Sequence, residues 1–109
     1  MLEDAIREAV RCTGLPIYAT EHGNNTDGDV QRAAHPVDSL KGLERCRADG
    51  LAVWGYTHGS LVDDFEWRSG YGPKFVLYGC DRQTSARRAK PGAERFGALV
   101  RAARGLPPR

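Results

Sequence analysis

The chain has no apolar run near the ~20 residues that a bilayer-crossing helix needs, and its N-terminus lacks a basic-then-apolar leader. Both absences lead to the expectation of a cytoplasmic protein with no membrane partner. Cysteine is scarce: Cys12, Cys46 and Cys80 are odd in number, far apart and never form Cys-x-x-Cys. That pattern offers neither a disulfide framework nor a zinc signature, so reduced, mostly buried thiols are expected. Their equal separation of 34 marks no repeat, because the residues around Cys80 do not match those around the other two. The three histidines, His22, His35 and His58, follow no metal-ligand spacing, and no metal or cofactor is expected.

What is present is the composition of one ordinary globular unit, 109 residues long with 40% apolar and 28% charged residues, which excludes a disordered or fibrous chain. Positive charge gathers at the end, where Arg82, Arg87, Arg88, Lys90, Arg95, Arg101, Arg104 and Arg109 face only Glu94 in the last 28 residues. Phe96, Leu99, Val100 and Ala103 interrupt that charge at helical spacing. The pattern describes a solvated helix face, and without a recognised motif no nucleic-acid partner is expected.

Leu2, Ile6, Ala9 and Val10 share one face of a helix over residues 2–12, and Gly14-Leu15-Pro16 stops it. Ile17 to Thr20 reads as a short strand, and His22 to His35 as a long polar loop. Pro36 suits the first turn of a second helix with the stripe Val37, Leu40, Leu43 and Cys46, ended by Gly50. Ala52 to Tyr56 forms a second strand, and Lys74 to Tyr78 a third, shorter extended segment. Pro91 opens a last helix that runs to about Arg104. Strands alternating with helices of this length imply β-α-β crossovers and a parallel sheet, and two such strands with three helices cannot cover both faces of one.

Two segments carry the chemistry. Leu15 to Gly23 is a strand running into Glu21 and a glycine turn, and Gly50 to Gly59 repeats its outline. Both open Gly-Leu and close His-Gly at a period of 36, and Asp63-Asp64-Phe65-Glu66-Trp67 follows the second. Parallel strands would deliver these acids to one rim, the carboxyl ends where active sites of β/α barrels lie.

At these residues the sequence resembles glycoside hydrolase family 1, the retaining β-glucosidase and β-galactosidase group. Thr20-Glu21-His22-Gly23 resembles its nucleophile motif, usually Thr-Glu-Asn-Gly, and Ser60-Leu61-Val62-Asp63-Asp64-Phe65-Glu66-Trp67 its Ser-Leu-Leu-Asp-Asn-Phe-Glu-Trp. Asp49-Gly50 to Tyr56 resembles the approach of strand eight; Gly70-Tyr71 through Lys74-Phe75, then Asp81, Arg88 and Lys90-Pro91, resembles the closing pattern. The resemblance implies an α/β fold, the C-terminal part of a (β/α)8 TIM barrel: part of helix six, strand seven, helix seven, strand eight and helix eight. It implies hydrolysis of β-O-glycosidic bonds, with Glu21 as nucleophile and Glu66 and Trp67 holding the sugar. A carboxylate can attack an oxocarbenium-like centre and then depart, and a pyranose offers hydroxyls to Glu66 and C–H groups to an aromatic face. Glu66 also disfavours the 6-phospho-glycosidase branch, in which a Ser stands at that position. The implied partners are a β-glycoside or oligosaccharide and the N-terminal barrel portion or another chain.

Three departures bear on activity. Gly59 stands where the family has a sugar-stacking Trp before Ser60, and Lys74-Phe75-Val76 replaces its Arg-Phe-Gly. Nothing resembles the Asn-Glu-Pro block that holds the family's acid/base; Glu3 and Glu8 fall on an amphipathic helix, and Asp63 and Asp64 read as loop supports. The isolated chain is therefore expected to be inactive. The rival readings are a degenerate sugar-binding remnant and an association module that completes a barrel through unpaired strand edges.

Overall fold

The structure, a computed structural model, describes residues 1–26, 28–73 and 75–108, with Asp29 and Arg32 described by backbone alone. The readings above for Lys74 and Arg109 lie outside the described residues. Helix α1 spans Leu2–Thr13 and buries Ile6, with Leu2 and Val10 packed beside it. It ends because Gly14 adopts the left-handed conformation at φ 66° and donates its N–H to the Val10 carbonyl at 2.8 Å. Strand β1 is Ile17–His22, helix α2 is Asp29–Ala48 and strand β2 is Val53–His58. Gly50, at φ 84°, turns the chain out of α2 as Gly14 does out of α1.

The two strands pair in parallel, in the register Ile17 with Val53, Ala19 with Tyr56 and His22 with His58. The sequence repeat thus has a structural meaning: each copy starts at a left-handed helix stop and ends at a histidine on the same rung. Tyr18 lies across Gly55, where a Cβ would fall 2.6 Å from its ring, so a glycine is required beneath it.

One face of this sheet is covered. Ile6, Leu43, Cys46 and Val53 form the core, with Ile17, Leu40, Leu51 and Tyr56 around them. Across the helices, Glu3 accepts from Arg45 at 2.6 and 2.9 Å and from Arg7 at 2.8 and 3.0 Å, and Arg7 reaches Asp49 at 2.6 Å. These guanidiniums, Arg45 foremost, hold the Glu3 carboxyl below its usual range, so Glu3 serves as a tie between α1 and α2. The opposite face exposes Tyr18 and Trp54 to solvent. The molecule measures 47 × 40 × 20 Å, a slab of one helix layer on one sheet layer.

Beyond β2 the chain makes a 3₁₀ turn at Trp67–Ser69, then an antiparallel pair, β3 (Tyr78–Cys80) and β4 (Arg87–Ala89), and helix α3 (Pro91–Ala103), with Pro91 at its first turn. Asp81 builds the hairpin turn by accepting the N–H groups of Gln83 and Thr84 at 2.8 and 2.9 Å.

Three expectations are corrected. The loop after β1 is short, because α2 begins at Asp29 and carries Pro36 in its interior, where it is fully buried. Gln31, Arg32, Ala33 and Ala34 are helix formers that outweigh the turn-rich residues before them. The third extended segment falls later than residues 74–78, since β3 starts at Tyr78 and pairs with β4. The thiols are not mostly buried: Cys46 is, Cys80 is half-buried and Cys12 is exposed, all three being free. Val76, which stands where the family's pattern has a glycine, is one of the most buried residues.

Candidate active site

Glu21 sits on β1 one residue before its end, exposed at the carboxyl edge of the parallel pair. The ends of the two strands touch through backbone. The Gly59 N–H donates to the His22 carbonyl at 3.0 Å, and a Cβ on Gly23 would collide with the Gly59 carbonyl oxygen. The closing glycines of the repeat are thus fixed by close approach rather than by left-handed backbone.

At His22, the residue after Glu21, the three histidines gather. His22 stacks on His35 from α2, with ring centroids 4.6 Å apart at 13°, and Ser39 Oγ lies 3.5 Å from His22 Nδ1. The Tyr56 hydroxyl stands between His22 Nδ1 at 3.4 Å and His58 Nδ1 at 3.0 Å, and the α3 ring of Phe96 packs on both Tyr56 and His58. Burial lowers the pKa of each histidine below 6.5. Positive charge on His35 and His58 lowers His22 further, whereas Asp38 opposes the shift at His35 and the Phe75 carbonyl opposes it at His58. Burial likewise pushes the Tyr56 hydroxyl up to about 12. The cluster is a neutral plug that joins β1, α2, β2 and α3. The sequence suggests His22 and His58 as hydrogen-bonding groups of the rim, but His58 is buried and both belong to the packed cluster; its hub, Tyr56, has as its only sequence signal a Tyr-x-His spacing that puts both side chains on one face of a strand.

Glu66 and Trp67 lie on the loop beyond β2. Glu66 is half-buried and its N–H donates to the Gly70 carbonyl at 2.8 Å; Trp67, at φ 45°, is 84% exposed. The loop is pinned to the hairpin. Val62 bridges Tyr78, the Asp63 N–H donates to the Tyr78 carbonyl at 3.1 Å, and Arg82 donates to the Asp63 carbonyl at 2.5 Å. Arg82 also lies 4.0 Å over the Tyr71 ring, which meets Phe65 edge-on. The Asp63 carboxylate pairs with Lys90 at 2.8 Å, their side chains 7% and 14% exposed. Asp63 is therefore a support of the loop, as its place in the sequence suggests. Lys90→Met should destabilise the folded chain by about 3 kcal/mol, read from urea unfolding, since it removes one partner of a buried ion pair. A loss below about 0.5 kcal/mol would place the pair among inconsequential surface bridges.

The profile described as Glycosyl hydrolase family 1 matches residues 9–104. The chain belongs to this family. A β-galactosidase of Sulfolobus acidocaldarius is 35% identical over 94 residues, a match covering 86% of this chain and 19% of that protein. Among solved structures of the family, the apo β-glucosidase 1317 aligns at 45% identity with a TM-score of 0.89, over 97% of this chain and 26% of that one. The β-glucosidase of Exiguobacterium antarcticum B7 aligns at 31% with a TM-score of 0.83, over 96% and 26%. The family 1 chain therefore spans about a fifth of the curated relative and a quarter of these solved structures. Its two-stranded sheet is not a closed barrel. No helix among its described residues is long and apolar enough to cross a membrane.

Proposed function

We propose that this chain is the C-terminal portion of a β-glucosidase-like retaining glycosidase, carrying the last β/α units of the barrel and its nucleophile. Glu21 attacks the anomeric carbon of a β-glycoside, and the bond to the leaving oxygen breaks as that oxygen takes a proton from an acid carried outside this chain. Water, deprotonated by the same group, then displaces Glu21 and releases the sugar. Glu66 accepts hydrogen bonds from sugar hydroxyls, and Trp67 holds the same ring. The observation that carries this reading is Glu21 exposed at the carboxyl end of a parallel strand inside a Thr-Glu-x-Gly block, with a Phe-Glu-Trp loop following the paired strand.

Retaining hydrolysis needs two carboxyl groups about 5–5.5 Å apart. Of the acids weighed for the second role, Glu3 is held by Arg45 and Arg7, Glu8 by Arg11 and Asp63 by Lys90, and Asp64 accepts from Ser60 Oγ at 3.3 Å. The chain alone is thus inactive. The test is hydrolysis of an aryl β-glucoside by the purified chain, alone and after addition of a separately expressed N-terminal barrel portion from a relative. Turnover only in the mixture supports the reading; turnover by the chain alone refutes the inactivity.

A second reading, a sugar-binding or barrel-completing remnant without catalysis, is favoured by Gly59 at the stacking position and by the unpartnered Tyr18 and Trp54 face. It is the outcome if the mixture assembles but never turns over.

A further inference from the structure

The segment from Asp63 to Tyr71 carries Glu66 and Trp67, and of its residues only Asp63 is buried. Its tip closes on itself, the Glu66 N–H donating to the Gly70 carbonyl and the Ser69 N–H to the Glu66 carbonyl, both at 2.8 Å. A segment with so little apolar burial opens easily unless something else ties it down. One side chain reaches both of its ends. From the turn between β3 and β4, Arg82 Nη2 donates to the Asp63 carbonyl at 2.5 Å, and the guanidinium carbon stands 4.0 Å from the centroid of the Tyr71 ring. Tyr71 in turn meets Phe65 edge-on, with centroids 5.3 Å apart. A planar guanidinium can donate from its edge while its face lies on a ring, which the ammonium of a lysine cannot do. The base of Arg82 is itself fixed, because the Asp81 carboxylate holds the turn and the Asp81 N–H donates to the Ala86 carbonyl at 2.9 Å.

We infer that Arg82 is a positioning residue for Glu66 and Trp67: by tying Asp63 to Tyr71 it closes the neck of their loop and fixes how the two side chains are presented. The inference rests on the sugar-holding reading of Glu66 and Trp67 for its bearing on substrate, but the tie itself does not. Arg82 lies outside the blocks that stand out in the sequence, and its role follows from contacts that join residues 63, 65, 71 and 82.

The test begins with the isotopically labelled full chain. Nuclear Overhauser contacts between the Arg82 Hδ protons and the Tyr71 ring protons are expected, and their absence would overturn the inference. In Arg82→Gln the amides of residues 64–70 should gain nanosecond motion, read from heteronuclear Overhauser values, while those of β1 and β2 stay as they were. Arg87→Gln, which removes the same charge from an exposed position on β4, should change none of them. Tyr71→Leu removes the far anchor and leaves the Asp63 bond, and it should loosen the same residues. A loop as rigid as the parent's in either folded variant, Arg82→Gln or Tyr71→Leu, would overturn the tie. In the reconstituted barrel, Arg82→Gln should raise KM for an aryl β-glucoside by about 10-fold with kcat changed less than about threefold, as loss of binding shared by ground and transition states does. Loss of folded protein alone would lower kcat at unchanged KM, and that result would refute positioning. Should Glu66→Gln leave KM unchanged, the sugar-holding reading would fail, while the Overhauser measurements would still decide the tie.

Discussion

Glu21→Gln is expected to remove at least ~10⁴-fold of the kcat of a barrel reconstituted from this chain and an N-terminal portion, measured on an aryl β-glucoside. The amide keeps the size of the carboxylate and can still accept a hydrogen bond, so the strand end should pack as before. What it loses is the anion that forms and later releases a covalent bond to the anomeric carbon. Because Glu21 is exposed and lies outside the buried cluster, its replacement should leave thermal stability within about 0.5 kcal/mol of the parent. A variant that loses activity by unfolding would fail this expectation as clearly as one that stays active.

Acid should unfold the chain through its histidines. His22, His35 and His58 all have folded-state pKa values below the ordinary 6.5, chiefly through burial. Above 6.5 both states are neutral at these sites and the cluster keeps its full stability. As pH falls through 6.5 the unfolded chain takes up protons that the folded chain refuses, so stability declines, by at most about 1.4 kcal/mol per pH unit for each histidine. The decline lasts until pH passes below the lowered folded values. The groups facing the cluster moderate it: Asp38 and the Phe75 carbonyl favour protonation, and the N-terminal ammonium opposes it at His22. His22→Asn should flatten the pH dependence of urea unfolding between pH 5 and 7 by up to one proton's worth of slope. An unaltered slope would show that His22 is not part of the titrating set. At the alkaline end the sign reverses: Tyr56, held protonated up to about 12 when folded, loses its proton above 10 when unfolded, so stability falls as pH rises between those values.

The helix stripes Leu2-Ile6-Val10 and Leu40-Leu43-Cys46 were legible because burial on one side imposes a 3.6-residue period, and they do meet in the core. Glu21, Glu66 and Trp67 stand out in the sequence through their blocks, and Glu21 lies one residue before the carboxyl end of β1. Other features leave no local trace. Arg87–Ala89 is exposed throughout, so β4 has no alternation to read, and its pairing with β3 depends on Asp81 turning the chain. The interior Pro36 reads as a helix start by every local rule, yet seven residues of helix precede it. The histidine cluster gathers side chains from residues 22, 35, 39, 56, 58 and 96, and such long-range company has no one-dimensional pattern at all.

The slab's 20 Å thickness sets how water reaches its backbone. With one helix layer on one sheet layer, no peptide group lies more than about 10 Å from bulk solvent. The β1–β2 ladder is roofed by α1 and α2 but bare on the side of Tyr18 and Trp54. Amide deuteration can therefore enter from that side by local opening, without the helices coming off. Slow exchange in these strands would become a direct report that a second layer has closed over them.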